Sequence, residues 1–166
     1  FATSVASMFG AFADETSYLQ DMAKYPIKAV WDSGYPTATK YALLNALALR
    51  KDIAVFLGTS AAGDAKLTAA QESSMGVLLK ARAQLYPESE FYGTPVCRAV
   101  VVSRSGLLVD NSYKKRLPLT YDLLCKIVKY MGASDGKWNK DYAFDQTPLN
   151  KVTTMTDINE VFAPAS

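Results

Sequence analysis

The sequence predicts an α/β fold: a mixed, mainly parallel sheet with helices on both faces, built as a βαβαβ core plus one antiparallel hairpin strand. Two short runs, residues 27–31 and 53–57, are mostly apolar on both faces, as in parallel strands that helices cover. An alanine- and leucine-rich segment joins them after a turn, which is the order of a βαβ unit. A length of 166 residues with 49% hydrophobic content suits one substantial core.

The chain divides into three parts: an N-terminal arm and helix (1–24), the α/β core domain (25–150), and a C-terminal short helix and tail (151–166). Residues 1–12 are small, apolar and uncharged, so we expect an arm that packs on another surface. A helix is predicted from Asp14, where the first turn is acidic, until Pro26 ends it. The chain begins at Phe1 rather than Met, which suggests a processed product or a piece of a longer protein.

Cap residues predict where the core helices begin. Thr37 is the candidate N-cap of a helix over residues 38–51, whose alanine, leucine and tyrosine residues cover most of the circumference and indicate heavy burial. Thr68 and Gln71 match a capping box, which predicts a second helix from this point to about residue 85.

The longest strand signal is residues 96–102. A Ser-Gly turn at 103–106 follows it, so residues 107–109 are predicted to return as the antiparallel strand of a hairpin. Thr120 is the candidate N-cap of a helix that ends near Met131, and a last short helix is predicted over 156–162.

Charge and hydropathy indicate no nucleic acid or membrane partner. The 18 basic and 16 acidic residues leave a net charge of +2, and no apolar run approaches the ~20 residues that cross a bilayer. We therefore expect no nucleic-acid binding and no membrane insertion. Cys97 and Cys125 are expected to be small buried residues, and a disulfide between them stays open.

The absence of histidine excludes several kinds of active site. Without it, the chain cannot form Ser-His-Asp, Cys-His or HExxH sites, and two cysteines make a structural zinc site improbable. The sequence also contains neither GxGxxG after the first strand nor GxxxxGK[ST]. We accordingly predict no catalytic, cofactor-binding or metal-binding residue and no enzyme activity.

One candidate site remains, at the carboxyl ends of the predicted parallel strands, where open α/β sheets bind ligands. Asp32 follows the first strand, and Thr59 and Ser60 follow the second. With a lysine and magnesium, these groups would suit a phosphoryl-transfer or nucleotide-binding enzyme in which the Asp32 carboxylate attacks phosphorus. The second carboxylate of an Asp-x-Asp pattern is missing, however. The structural interpretation is that Asp32 forms an Asx turn or caps the helix, while Thr59 and Ser60 end a strand.

Two weaker candidates for a binding site are a charged residue in a predicted strand and a group of aromatic residues. Arg98, within a strand signal, is expected to serve as an edge charge or ion-pair partner rather than as an anion ligand. Several aromatic residues could stack on bases, but without a basic background they favour protein contacts. They are Tyr86, Phe91, Tyr92, Trp138, Tyr142 and Phe144.

A set of motifs over about residues 25–150 resembles the core domain of contractile-tail sheath proteins of large bacteriophages. The motifs are Val30-Trp31-Asp32-Ser33-Gly34-Tyr35, the lysine-bearing helix from Lys40, Arg50-Lys51-Asp52-Ile53, Gly58-Thr59, Tyr86-Pro87-Glu88-Ser89, Tyr92-Gly93-Thr94, Ser105-Gly106, Leu117-Pro118-Leu119-Thr120 and residues 130–138.

This resemblance implies a structural virion protein without catalytic residues. Its subunits would self-assemble as rings around an inner tube protein, linked by strands donated from terminal extensions, and contraction would drive injection. The implied location is the virion tail, after synthesis in the host cytoplasm. The phosphoryl-transfer enzyme is the alternative, and a ligand-binding regulatory domain is a third hypothesis.

Overall fold

The computed structural model describes residues 1–61, 67–86, 89–91, 94–96, 98–103, 105–106, 117–121, 123–125 and 162–164. The helices and strands defined within these residues are α1 (Ala2–Gly10), β1 (Ala29–Trp31), α2 (Thr37–Leu43), β2 (Ala54–Gly58), α3 (Ala69–Ala83), β3 (Ser89–Phe91), β4 (Thr94–Val96), β5 (Ala99–Val102), β6 (Ser105–Gly106), β7 (Leu117–Pro118) and β8 (Phe162–Pro164). Single turns of 3-10 helix cover Ala11–Ala13, Tyr18–Gln20 and Leu44–Leu47.

The fold is mixed α/β, as predicted. Its main sheet has the order β1-β2-β5-β8, in which the first three strands are parallel and β8 is antiparallel to β5. Two separate antiparallel pairs are formed by β3 with β4 and by β6 with β7. The predicted βαβαβ order is therefore confirmed, because α2 connects β1 to β2 and α3 lies between β2 and β5 in the chain.

The first face of the sheet packs on helices. Val55, Leu57 and Val101 of the strands share one buried cluster with Leu43 of α2 and Leu79 of α3. Helices α2 and α3 also contact each other, and α1 packs on α2. Each fully buried side chain of this size contributes about 1.5–3 kcal/mol relative to an exposed one, so this cluster is a main source of stability.

The second face of the sheet is covered near Gly58, where Pro118 Cβ and Thr120 Oγ1 lie 3.1 and 3.5 Å from the position of an added Cβ. Phe56 and Val102, at most 1% exposed, belong to this face because they alternate along their strands with Val55, Leu57 and Val101 of the first. Leu119 and Leu123, which are 2% and 0% exposed, are buried outside the cluster of the first face. Trp31 and Phe56, which are paired across β1 and β2, stack with 3.9 Å between ring centroids. Residues 120–121 and 123–125 are helical, and the Thr120 hydroxyl reaches the sheet by donating to the Asp32 carbonyl oxygen, so the expected helical cover begins on this side.

The N-terminal prediction is wrong in two places. Residues 1–12, expected as an arm, form α1 and a short 3-10 turn, because Val5 and Phe9 pack against the buried cluster. The helix predicted from Asp14 is absent between residues 14 and 26, where only Tyr18–Gln20 is helical. In this segment the side chains of Asp14, Ser17 and Asp21 accept hydrogen bonds from nearby backbone N–H groups, which competes with helix formation.

The predicted hairpin also requires correction. Ser105 and Gly106 pair with β7 rather than forming a tight turn, and the antiparallel neighbour of β5 is β8. Residues 107–109 lie outside the described part of the chain. So does most of the helix predicted over 156–162, except that its last residue begins β8.

The starts of α2 and α3 and the state of Cys125 differ in part from what the sequence predicts. The capping box of Thr68 and Gln71 is confirmed, whereas α2 begins at Thr37 without a side-chain cap and passes into 3-10 helix after Leu43. Cys125 is a free, exposed thiol, contrary to its expected burial, and Cys97 lies outside the described residues.

Candidate functional site

Asp32 lies directly after β1 with 1% of its surface exposed. Its Oδ1 accepts hydrogen bonds from the backbone N–H of Gly34 at 2.9 Å and of Tyr35 at 3.0 Å. Gly34 adopts a positive φ of 98°, a conformation that favours glycine. The expected Asx turn is therefore confirmed. The other carboxylate oxygen, Oδ2, accepts a bond of 2.9 Å from the N–H of Gly58 at the end of β2.

Lys40 forms a buried ion pair with Asp32. Its Nζ contacts Asp32 Oδ2 and also donates to the carbonyl oxygen of Ser60 at 3.3 Å. Only 1% of Lys40 is exposed. Burial lowers the pKa of Lys40 from its ordinary value, while the negative charges of Asp32 and Glu72 act in the opposite direction.

Glu72 joins the same group of polar side chains from helix α3. The hydroxyls of Thr59 and Ser60 both donate to its carboxylate, the second over 2.8 Å. Glu72 lies in the first turn of α3, where the helix dipole favours a negative charge. The side chain is only 8% exposed, so these hydrogen bonds compensate its removal from water.

We call these five side chains the strand-end network: Asp32, Lys40, Thr59, Ser60 and Glu72. It connects β1 and β2 with α2 and α3, and the Thr120 hydroxyl adds the second face by donating to the Asp32 carbonyl oxygen over 2.8 Å. Low exposure and mutual hydrogen bonding are the properties of a buried polar network that fixes how elements pack. No group of three metal-binding side chains occurs among the described residues.

The sequence predicts three members of the strand-end network as one candidate site and does not identify the other two. Asp32, Thr59 and Ser60 do meet at the carboxyl ends of adjacent strands, as predicted. Lys40 and Glu72 were not identified as members of the site. Lys40 stands in a segment that is apolar around most of its circumference, and a buried lysine there requires an acidic partner. That requirement was the available signal.

Arg98 lies at the opposite end of the sheet, at the amino ends of the parallel strands. It precedes β5, which has neighbours on both sides in the described sheet, so the expectation of an edge charge is wrong. Its guanidinium donates to the carbonyl oxygens of Arg50 at 2.5 Å and Leu47 at 2.9 Å. Arg98 therefore binds carbonyl groups at and after the end of the 3-10 turn, where a positive charge is favourable.

Arg50 ties the N-terminal segment to the same end of the sheet. It donates to the carbonyl oxygens of Leu19, Tyr25 and Ile27, over 3.1, 2.8 and 3.2 Å. Its guanidinium also holds Asp52 at 2.9 and 2.6 Å. The hydrogen bonds from Arg50 lower the pKa of the Asp52 carboxyl below its ordinary value of 3.8.

The aromatic candidates do not form a described cluster. The Tyr86 hydroxyl donates to Asn45 Oδ1 at 2.9 Å, and its ring packs on the buried cluster. Phe91 is described only as part of β3. Tyr92, Trp138, Tyr142 and Phe144 lie outside the described residues.

An apolar groove of about 600 Å³ runs between α1 and β1. Its walls include Phe1, Met8, Tyr18 and Trp31. Three of these side chains are largely exposed: Phe1 at 92%, Met8 at 56% and Tyr18 at 63%. Apolar side chains that are grouped and exposed in this way are typical of a contact surface.

Within the described residues, no helix has the length and apolar character that crossing a bilayer requires. Comparison of the chain with models of known protein families and with curated proteins found no match.

Proposed function

We propose that this chain is a structural virion protein, a subunit of a contractile tail sheath that self-assembles around an inner tube and contracts to drive injection. Its proposed partners are copies of itself and the inner tail tube protein, without nucleic acid and without membrane insertion. Its proposed location is the virion tail, after synthesis in the host cytoplasm.

The observation that carries this proposal is the position of the sheath-like motifs in the fold. Asp32, Gly34, Lys40, Gly58 and Thr120, all from those motifs, meet around the strand-end network. Both carboxylate oxygens of Asp32 are occupied by donors within the protein. The motif residues thus have a structural explanation in a rigid core, which is what a subunit under mechanical load requires.

Exposed apolar surface supports self-assembly. Val77, Leu78 and Leu85, in and after α3, are 64%, 50% and 71% exposed, and the groove beside β1 adds a second apolar area. Grouped apolar surface on a folded domain commonly marks protein contacts.

Electron microscopy of the purified protein over a range of salt and protein concentrations tests the proposal. The expected result is rings or helical tubes, because a sheath subunit carries the surfaces for its own lattice. A protein that stays monomeric in every condition, including with a sheathless inner tube, contradicts it.

The alternative is a magnesium-dependent phosphoryl-transfer or nucleotide-binding enzyme that uses Asp32. One observation favours it: a lysine, Lys40, contacts this carboxylate at the carboxyl ends of parallel strands. The test is hydrolysis of a phosphate ester with magnesium, comparing the natural chain with Asp32→Asn. Turnover that the substitution abolishes, in a variant that remains folded, would favour the enzyme over the sheath subunit.

A further inference from the structure

The buried pair of Lys40 and Asp32 brings an amine into contact with a carboxyl group away from solvent. The Nζ atom of Lys40 contacts Oδ2 of Asp32, and the two side chains are 2% and 0% exposed. Contact with Oδ2 places the amine beside Cγ, the carboxyl carbon that carries this oxygen, which is where a nucleophile has to lie. The two groups therefore meet directly, without a layer of water between them.

Burial shifts the protonation of the amine in the direction that a nucleophile needs. A lysine attacks a carbonyl carbon only as the neutral amine. Burial lowers the pKa of Lys40 from its ordinary value, against the opposing effect of the charges on Asp32 and Glu72. Oδ2 of Asp32 is in contact with the ammonium group and can accept its proton. This transfer leaves an amine and a carboxylic acid, both neutral, and so removes two charges from a buried site.

Backbone groups around Asp32 are placed to stabilise a tetrahedral intermediate. The N–H groups of Gly34 and Tyr35 donate to Oδ1 over 2.9 and 3.0 Å. Attack on Cγ would place a negative charge on Oδ1, and two fixed N–H donors of this kind are the arrangement of an oxyanion hole. The N–H of Gly58 donates to the other oxygen, Oδ2, over 2.9 Å. Both carboxyl oxygens thus have fixed donors in the positions that the reaction uses.

We propose that Lys40 and Asp32 join in an intramolecular isopeptide bond between Nζ and Cγ, with the loss of one water. One proton of the ammonium group passes to Oδ2, and the neutral Nζ then attacks Cγ. A second proton passes from Nζ to Oδ2 as the bond between Cγ and Oδ2 breaks. Oδ2 leaves as water with both protons, one hydrogen stays on the amide nitrogen, and the reaction consumes no oxidant, reductant or co-substrate.

The product fits the hydrogen bonds already present at the site. The amide N–H keeps the carbonyl oxygen of Ser60 as its acceptor, which lies 3.3 Å from Nζ. The amide oxygen, the former Oδ1, keeps the N–H donors of Gly34 and Tyr35. The freshly synthesised chain contains the ion pair, and the linked form accumulates after folding. This modification goes beyond the proposed function and does not depend on it.

Mass spectrometry of the denatured natural chain, sampled over time after folding, tests the bond. The expected mass is one water below that of the sequence. Trypsin should no longer cleave after Lys40, so a single peptide over residues 29–50 is expected, also one water light. Cleavage after Lys28 should persist, because its pair with Asp52 involves a lysine side chain that is 52% exposed. A succinimide at Asp32 would also remove one water, but it would leave Lys40 open to trypsin.

Two matched variants assign the bond to Lys40. Lys40→Arg keeps a positive charge but replaces the amine by a guanidinium that stays protonated, so this variant should keep the full sequence mass. Lys28→Arg makes the same change in the exposed pair and should lose one water as the natural chain does. Circular dichroism shows that each variant is folded. If Lys40→Arg does not fold, fragmentation of the natural 29–50 peptide identifies the linked residues instead.

Three results would overturn the isopeptide bond. The first is a folded natural chain that keeps the full sequence mass after a week of incubation. The second is a loss of water in a chain that trypsin still cleaves after Lys40, and the third is the same loss in folded Lys40→Arg. None of these results bears on the proposal of a sheath subunit, which electron microscopy tests separately.

Discussion

Replacing Lys40 by methionine removes the cation of the buried ion pair and keeps a side chain of similar length. The Asp32 carboxylate then remains in a site that is 1% exposed, with no opposite charge in contact with it. Removing one partner of a buried pair costs about 3–5 kcal/mol, because the other charge stays out of water. Three backbone N–H groups still donate to Asp32, so we expect the lower value, about 3 kcal/mol.

A double-mutant cycle isolates the interaction. Asp32→Asn keeps an oxygen acceptor for the Asx turn but places a side-chain NH2 group where Oδ2 accepts from Gly58 and Lys40. We expect this change also to lower the free energy of unfolding by about 3 kcal/mol. Combining it with Lys40→Met removes both charges. The loss of unfolding free energy in the double variant should therefore be smaller than the sum of the two single losses, by about 2 kcal/mol or more.

Urea unfolding followed by circular dichroism measures these free energies, and an unchanged m-value shows that the unfolding reaction is the same. Lys28→Met is the matched control, since its pair with Asp52 spans 3.2 Å at a lysine side chain that is 52% exposed. We expect less than about 0.5 kcal/mol for that change. Additive effects of the Asp32 and Lys40 substitutions, or a loss under about 1 kcal/mol for Lys40→Met, would refute the reasoning.

Three further predictions can be checked by the same unfolding assay. Glu72→Ala removes the acceptor of two buried hydroxyls and should cost about 2–3 kcal/mol, whereas Glu72→Gln, which keeps an acceptor, should cost less. Gly58→Ala should cost about 1–3 kcal/mol, because the added Cβ meets Pro118 Cβ at 3.1 Å, whereas Gly10→Ala, with nothing within 4 Å, should be neutral or stabilising. Asp52→Asn should cost about 1 kcal/mol at pH 7. The folded pKa of Asp52 lies below 3.8, so the unfolded chain binds more protons between the two values and this difference should vanish as pH falls through that window.

The sequence predicted the parallel core because its strands carry their own signal. Short runs that are apolar on both faces can only be buried between two layers, and β1, β2 and β5 are such strands. The capping box of α3 is also a local feature, because the side chains of Thr68 and Gln71 each accept a hydrogen bond from the backbone N–H of the other within one turn. Features that depend on neighbours along the chain were therefore predictable.

The missed features depend on distant contacts. Helix α1 has no side-chain cap and no charge, and it is held by packing of Val5 and Phe9 on the core. Lys40 and Glu72 meet Asp32, Thr59 and Ser60 only when α2 and α3 fold onto the strands, and no local pattern specifies that meeting.

The order of the strands has a consequence for where a ligand could enter. In the described sheet β2 lies beside β1 and β5 lies beside β2, so both connections cross the sheet in the same direction. The helices of these connections, α2 and α3, lie together on one face. Open α/β sheets form their binding crevice where successive connections leave in opposite directions, so that two helices separate above the strand ends. Between these three strands there is no such reversal, and side chains of the neighbouring helices α2 and α3, Lys40 and Glu72, bind the residues at the strand ends instead. Among the described strands, the order β1-β2-β5 therefore provides no such crevice beside Asp32.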